Sequence, residues 1–439
     1  MENNLKYFII TLGCQMNKSD SERIAAMLEK RGYQPAAKEA DADLIIMNTC
    51  SVRQSAMDRV FGLAKNLTEI KKKNPRLKTV LTGCVLPEDF KKTQKMFDYI
   101  LSIKNLAQWP EYFGQEQFFQ AFDMTQKDCS YFNQKPKYSN SYSVFIPISN
   151  GCSNFCSYCA VPYTRGPLVL RSHKEIMIEA ENAINNGAKE IWLLGQNVND
   201  YNDKGINFAK LLKMINELPG NFWIRFTSPH PKEFTSEMIE AIARSKKMTP
   251  YFNLPMQSGD DEVLSRMRRS YKIGEYKSLV KRIRAAFSSQ RQGLEKELAL
   301  STDIITGYPG ETRDQYISTL KAMEEVGYDM AYIAKYSPRP GTVSSWLPDN
   351  VSQKEKDTRW KYLTQLLEKT ALAKNKKFVD ETIEVLIDEQ RKDVILGKSR
   401  HFKTVKIRLP KDSNENFTGQ FVKAKITAAL PWGLEGDLA

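Results

Sequence analysis

From Val144 onward, six short apolar runs recur, each followed by a stretch with helical spacing. They are "VFIPIS", "EIWLLGQNV", "WIRFTS", "YFNLPMQS", "LALSTDIITGY" and "MAYIAKYS". Runs that are apolar, rich in β-branched and aromatic residues, and bounded by Gly or polar residues read as buried strands. The segments between them, for example 174–186 and 314–326, read as helices. Strand–helix units repeated in this way are satisfied by parallel strands, because each return crossing needs a helix that also covers the sheet. Six of them imply a complete or partial β/α barrel, whose strand-end loops gather at one mouth and carry the chemistry.

Residues before this series follow the same logic on a smaller scale. "YFIITLG", "DLIIMNTCS" and "TVLTGC" are strand candidates. The amphipathic "DSERIAAMLEKRGY" is a helix with Ser19 or Asp20 as N-cap and Gly32 as its stop. A small parallel sheet with helices on its faces is expected. Residues 107–143 are polar and aromatic with little periodicity, and read as a linker or irregular excursion. A charged helix over 353–374 leads out of the barrel. Beyond it, "TIEVLIDEQ", "TVKIRLP" and "GQFVKAKITAAL" alternate with turn residues and predict a small all-β barrel. The expected domains are 1–140, 141–372 and 373–439.

Composition narrows the setting. A hydrophobic share of 41% and a mean hydropathy of -0.49 fit a globular chain, and no 18-residue apolar run suggests a membrane span. The start, "MENNLKYFIITLGC", lacks the features of a secretory signal, so a cytoplasmic location is expected. Thiols stay reduced there, and clustered cysteines read as metal ligands or catalysts. The net charge is +13. From Arg391 to Lys411 eight Lys/Arg face one acid, and from Ser265 to Ala285 eight again face one. One such run is as readily a solvated surface; two on an enzyme-sized chain favour a nucleic-acid partner.

Cys152, Cys156 and Cys159 form a C-x3-C-x2-C loop directly after the first barrel strand. Three thiolates on one short loop, with no histidine nearby, suit a cubane iron–sulfur cluster that leaves one iron free to chelate a small molecule. The competing readings are a zinc site completed by a distant residue and a chance group of buried cysteines. Cys14, Cys50 and Cys84 lie far apart in sequence, yet each ends a predicted strand. Neighbouring parallel strands would bring them to one sheet edge, where open α/β folds place ligands. A second three-cysteine cluster is the sharper inference; three ordinary core cysteines are the alternative. Cys129 reads as an ordinary thiol.

The cysteine loop, with Tyr158 before its last cysteine, resembles the signature of the radical S-adenosylmethionine (SAM) enzymes. With "TLGCQMNKSDSE", "NTCSVR", "GCSNFCSYCAVPYTRG", "LLGQNVNDY", "TSPHP", "LPMQSGDDEVLSRMRR", "DIITGYPGE" and "YSPRPGT", nearly the whole chain resembles the radical SAM methylthiotransferase family. The C-terminal β-domain is similar, loosely, to the TRAM domain that binds RNA. "GCQMN" and "PYTRG" look like the members that act on isopentenyl-adenosine in tRNA.

The resemblance implies two 4Fe–4S clusters, on Cys14, Cys50, Cys84 and on Cys152, Cys156, Cys159, and two SAM molecules in different roles. One donates a methyl group to a sulfur on the first cluster; the other, on the second, yields the radical that removes an unactivated hydrogen. It further implies SAM contacts from Tyr158, Gly195, Gln196, Asn197, Gln257, Ser258, Arg268, Ile305, Gly307 and Glu311. RNA contacts are expected from Arg165, Lys398, Arg400 and Phe402. Arg268 and its neighbour Arg269 are alternatives for SAM or phosphate. The implied substrate is the tRNA anticodon stem-loop with N6-isopentenyladenosine at position 37, with an electron donor protein, no membrane partner and a monomeric enzyme. Two alternatives stand beside it: the same chemistry on threonylcarbamoyl-adenosine tRNA or a ribosomal-protein aspartate, and a non-catalytic metal-bearing RNA-binding protein. For the chemistry to work, the edge bearing Cys14, Cys50 and Cys84 must face the barrel mouth.

Overall fold

A computed structural model describes residues 5–52, 54–120, 129–409 and 415–439. Arg53 of "NTCSVR", the middle of the 107–143 stretch and the end of the basic run at Lys411 lie outside the described residues.

The N-terminal sheet has six parallel strands in the spatial order Gln34–Pro35, Lys6–Thr11, Leu44–Cys50, Lys78–Cys84, Tyr99–Ile100, Phe118–Phe119. Alternation along Leu44–Cys50 explains the layering. Leu44 and Ile46 join a core with Ile24 and Leu28 of the helix Gln15–Lys30. Ile45 and Met47 join a second core with Met57, Val60 and Leu67 of the helix Gln54–Lys73. Chain direction across the sheet reverses between Lys6–Thr11 and Leu44–Cys50, and ligands of open α/β sheets bind at such a switch point.

Two expectations need correction here. The first helix begins at Gln15 with Cys14 at the N-cap position, several residues before Ser19 or Asp20. Ser19, Asp20, Glu22 and Arg23 are buried because they face the barrel, not because they cap the helix. The stretch after Ala107 is more than a linker: it supplies the edge strand Phe118–Phe119, and it buries Trp109, Tyr131 and Phe132 against the N-terminal core. Cys129 packs against that same core.

The second unit carries six parallel strands neighbouring one another in chain order: Ser143–Pro147, Glu190–Leu194, Trp223–Phe226, Tyr251–Asn253, Ala299–Thr306 and Met330–Lys335. They form two three-stranded sheets joined by a parallel bridge between Ile224 and Met248. No ladder among the described residues joins Met330–Lys335 back to Ser143–Pro147, so the barrel is partial. Period-two patterning again sorts the side chains: Ile191 and Leu193 pack under the helices, while Trp192 and Leu194 face the opposite side. The long helix Gln353–Asn375 follows.

The C-terminal unit is a closed five-stranded barrel: Thr382–Arg391, Val394–Ser399, Thr404–Arg408, Gly433–Leu438 and Phe421–Leu430. Two of these strands, "VILGKS" and "GLEGDL", carry glycines that mask their strand character. Gly397 and Gly436 stand where a Cβ would meet backbone of the neighbouring strand at 2.2 and 2.4 Å.

This unit docks near the strand starts of the partial barrel. Arg225, fully buried, is ion-paired with Glu190 and donates to the carbonyls of Ser399 (2.9 Å) and Arg400 (3.0 Å). The Phe402 ring stacks on Tyr251 at 4.6 Å, meets Trp192 edge-on at 5.2 Å, and lies 4.9 Å from the Arg225 guanidinium. Arg400 pairs with Glu295 and the Lys246 carbonyl, and Lys398 donates to Thr404 while its ammonium lies over Phe402. Arg400 and Phe402 thus seat the C-terminal unit on the barrel unit, while Lys398 makes its contacts within the C-terminal unit.

Phe402→Ala should lower stability by about 2–4 kcal/mol, through lost ring contacts and an unfilled space, as read by urea unfolding. Burial holds the neighbouring His401 down at about 4, its Nε2 donating to the Leu294 carbonyl at 3.0 Å. An unfolded histidine titrates near 6.5, so this site's stability is complete above pH 6.5 and is lost as pH falls towards 4. His401→Gln should flatten that part of the stability–pH curve in denaturation at stepped pH.

Candidate active site

The first cysteine set faces the barrel unit, linked to it through Arg165, the residue that follows the second set's loop. Cys50 and Cys84 end adjacent strands and are register partners. Cys14 follows the strand Lys6–Thr11 and caps the helix Gln15–Lys30, with its backbone N–H donating to Asn17 Oδ1 at 3.3 Å. Beneath it Asn17 donates to Asn48 Oδ1 and to the Thr49 carbonyl, both at 2.9 Å, and Asn48 returns a bond to the Asn17 carbonyl at 2.8 Å. This buried amide pair ties the first cysteine turn to the second. Gly83 has φ +99°, and a Cβ there would meet the Thr49 carbonyl oxygen at 2.3 Å, so only glycine lets the third cysteine turn approach.

Arg165, next after the short helix Val161–Thr164 that follows the cysteine loop, crosses to this edge. Its Nε donates to Cys84 Sγ at 3.0 Å, one terminal nitrogen to Asp20 Oδ2 at 2.7 Å, and the other to Asn150 Oδ1 at 3.1 Å. It is 4% exposed, and these three protein groups are its partners in this structure. The Cys50 thiol donates to Cys84, and the Arg165 guanidinium stands beside it. Together they hold Cys84 down at about 6 and favour the thiolate, while Cys50 is pushed upward.

On the barrel side, the loop of Cys152, Cys156 and Cys159 is pinned from two directions. Ser157 donates its backbone N–H to the Met267 carbonyl (3.1 Å) and its hydroxyl to the Arg266 carbonyl (2.9 Å). Its own carbonyl accepts from Ser344 at 2.8 Å. Arg339, in the same "SPRPGT" segment as Thr342, pairs with Asp89 and Gln54 of the N-terminal unit and clamps the two units together. Burial, then the neighbouring Cys156, push Cys159 up to about 12, and burial raises Cys152 as well.

The strand ends around this loop carry the other expected residues. Gln196 accepts from the Gly151 N–H at 2.5 Å and so holds the loop's entrance. A Cβ on Gly195 would meet Ser149 Oγ at 2.6 Å. Both polar atoms of the Asn197 side chain, Ser149 Oγ, Gln257 Oε1 and Thr306 Oγ1 are buried without a partner. Gln257 holds a left-handed backbone, φ +67°. A cavity of about 910 Å³ joins Cys159, Tyr158, Gln257 and Ile305 to Tyr332, Trp360 and Trp432.

Other expected residues sit elsewhere. Ser258 is bonded to Thr319 of the helix Arg313–Val326. Glu311 accepts from the Gly307 N–H and pairs with Arg359 at 2.7 Å, closing its loop onto the long helix; Gly307 lets Lys356 approach. Arg268 is exposed with φ +56°, ending a helical turn, and Arg269 takes the inward place against Cys156. Asp20, Asn17, Asn48 and Arg339 went unread as site residues, because their partners are distant in the chain.

The donor sets fit the groups that the sequence implies. No trio of His, Cys, Asp or Glu among the described residues is arranged for a single metal ion. A cubane needs none, since each thiolate takes its own iron. The unpartnered atoms of Ser149, Asn197, Gln257 and Thr306 face a polar ligand's requirements in a buried place, where such atoms are otherwise costly.

Comparison with known proteins agrees with this geometry. The model described as "Radical SAM superfamily" matches residues 146–323, and "Uncharacterized protein family UPF0004" matches 6–103. A tRNA-2-methylthio-N(6)-dimethylallyladenosine synthase of Clostridium botulinum (strain Langeland) is 37% identical over 98% of this chain and 96% of its own length. One from Clostridium perfringens (strain SM101) is 35% identical over 100% of this chain and 99% of its own. Among solved structures, the radical SAM methyltransferase TsrM of Kitasatospora setae has a TM-score of 0.56 at 14% identity, covering 78% of this chain and 74% of its own. The fold and the cysteine loop are those of a radical SAM enzyme, a class that implies SAM and a 4Fe–4S cluster. The chain belongs to the radical SAM methylthiotransferase family. No helix among the described residues is long and apolar enough to cross a membrane.

Arg165→Gln should cost about 3–5 kcal/mol in urea unfolding, because it strands the Asp20 carboxylate in a buried place. Adding Asp20→Asn should return a large part of that loss.

Proposed function

We propose that the protein inserts a methylthio group at C2 of N6-isopentenyladenosine at position 37 of tRNA, with two 4Fe–4S clusters and SAM. The observation that carries this reading is one buried arginine, Arg165, which follows the second cysteine loop and donates to Cys84 of the first set at 3.0 Å and to Asn150, two residues before Cys152, at 3.1 Å. The relatives' shared name supports the substrate. Cys14, Cys50 and Cys84 would hold one cluster, and Cys152, Cys156 and Cys159 the other. Bound there, the clusters and SAM supply a carbon-centred radical and a transferable methylthio sulfur, which together replace a hydrogen on an unactivated carbon.

The chain's own residues perform the rest. Asn197, Ser149, Gln257 and Thr306 offer SAM the buried polar atoms that lack partners. Gly195 leaves room for it, and Tyr158 and Ile305 line the same space. The cavity is the route for the target base. Tyr332, Trp360 and Trp432, each about half exposed, offer rings on which unstacked bases of a loop can lie. Lys335 lies 6.0 Å from the Trp360 ring and can meet the backbone that carries them. RNA contact is thus assigned to the open side of the barrel rather than to Lys398 and Arg400. A low-potential electron donor protein completes the system, and the enzyme works as a monomer.

Anaerobic turnover tests the whole reading. Cluster-reconstituted protein is given SAM, a strong reductant and an isopentenyl-adenosine anticodon stem-loop, and nucleosides are read by mass spectrometry. A methylthio product is expected, and none from Cys14→Ala or Cys152→Ala. SAM cleavage without that product, but with product from threonylcarbamoyl-adenosine RNA or a ribosomal-protein aspartate, would move the substrate and keep the chemistry. Loaded protein that cleaves no SAM would overturn the enzyme reading in favour of an RNA-binding one.

A further inference from the structure

Six of the seven arginines buried among the described residues face a carboxylate. Arg23 and Arg171 pair with Glu179, Arg165 with Asp20, Arg225 with Glu190, Arg339 with Asp89, and Arg359 with Glu311. The seventh, Arg269, has no carboxylate at ion-pair distance among those residues. Its Nε donates to the Tyr271 hydroxyl (3.1 Å), one terminal nitrogen to Cys156 Sγ (3.4 Å), and the other to the Pro255 carbonyl (3.5 Å). A guanidinium with 9% of its surface exposed and no counter-charge is expensive to keep.

Its surroundings narrow what the missing charge can be. Tyr271 is fixed by bonds from its hydroxyl to the carbonyls of Pro255 and Met256, both 3.0 Å, and its ring lies 5.1 Å from the guanidinium. His230 packs on Tyr271 at 5.9 Å and is held neutral by burial and by Arg269 itself, so it neither adds to the positive charge nor offsets it. What remains is the thiol loop: Arg269 donates to Cys156 Sγ and lies close enough to act electrostatically on its loop partners. Placement is deliberate in the backbone too. Arg268 adopts φ +56°, and the Arg269 N–H returns to the Leu264 carbonyl at 2.9 Å, which ends the helix Asp261–Arg266 and turns Arg269 inward.

We infer that Arg269 is the built-in counter-charge of the cluster on Cys152, Cys156 and Cys159, a positioning residue that raises its reduction potential. This rests on the proposed reading of that loop as a cluster site. Reduction adds one electron from a one-electron reductant and makes the cluster more negative by one charge. A fixed cation with an N–H aimed at a ligand sulfur favours that product over the oxidised form. Cys84 also accepts an arginine N–H, but Arg165 is neutralised by Asp20, so the two sites differ in net charge and should differ in potential.

The test is an EPR redox titration without SAM, on the full-length chain with Ala at Cys14, Cys50 and Cys84, so that the signal belongs to one site. Dithionite mixtures set the potential. With Arg269→Gln, the ratio of reduced to oxidised cluster at a set potential should fall about tenfold, a midpoint about 59 mV lower for one electron. Arg269→Lys, which keeps the charge, should stay within about threefold of the parent. Should Arg269→Gln load no iron, Tyr271→Phe gives the reading: it removes the hydroxyl that steers the guanidinium and should lower the ratio by a smaller factor. An unmoved midpoint in the Gln and Phe variants overturns the inference, as does an equal fall with Lys and Gln. An unmoved midpoint with lost SAM binding in equilibrium dialysis would assign Arg269 to the SAM carboxylate instead. A parent that loads no iron overturns the cluster reading itself.

Discussion

The Arg165 guanidinium is the interaction on which the rest of the site depends. It starts on the barrel, one residue beyond the turn that follows the cysteine loop, and ends on the N-terminal sheet against Cys84 and Asp20. Because Asp20 is buried with it, removing either partner leaves the other charge unpaired away from water. Its bond to Asn150 fixes the residue two before Cys152 as well. One side chain therefore ties Cys84 to the strand end that leads into the second cysteine loop, and the pairing of Arg339 with Asp89 and Gln54 makes a second link between the units.

Such a joint is rigid at a cost that is specific to buried charge. Helix Gln15–Lys30 turns toward the barrel a face of Ser19, Asp20, Glu22 and Arg23 that a free domain would leave in water. Arg23 is held by Glu179, which also takes Arg171, and both guanidinium groups flank the Phe132 ring at 5.6 and 5.8 Å. Polar contacts of this kind have narrow geometric tolerance, so they fix orientation where an apolar interface would allow sliding. A reaction that moves a group between two sites needs that orientation more than it needs affinity between domains.

How much of this was legible in the sequence follows from the range of the interactions. Strands and their terminal cysteines could be read because period-two burial and turn residues are local signals, and parallel pairing then placed Cys50 beside Cys84. The start of the first helix could not be read in the same way. Ser19 and Asp20 look like caps, but their partners are Phe145, Arg23 and Arg165, most of them more than a hundred residues away. Which of two adjacent arginines turns inward depends on a left-handed residue, Arg268, where no glycine announces it. The basic, aromatic composition of Lys398, Arg400 and Phe402 resembles an RNA surface. The same cations over rings serve equally well to seat one domain on another.

That last ambiguity bears on how a large substrate can reach a buried site. A closed barrel would present only its mouth, and here the mouth is occupied by the N-terminal unit. Among the described residues the partial barrel instead leaves the strand Met330–Lys335 unpaired along one edge, and the cavity follows it from Cys159 to Trp432. The C-terminal unit, by docking near the strand starts through Phe402 and Arg225, brings Trp432 to that opening. Its inward face is therefore spent on the protein so that its hairpin can border the entry. Gly433, where a Cβ would meet the Thr404 carbonyl oxygen at 2.9 Å, lets the hairpin that carries Trp432 lie close against the strand Thr404–Arg408. In the proposed reading, the open edge, a defect in a barrel built only for stability, gives a nucleobase a path to Cys159.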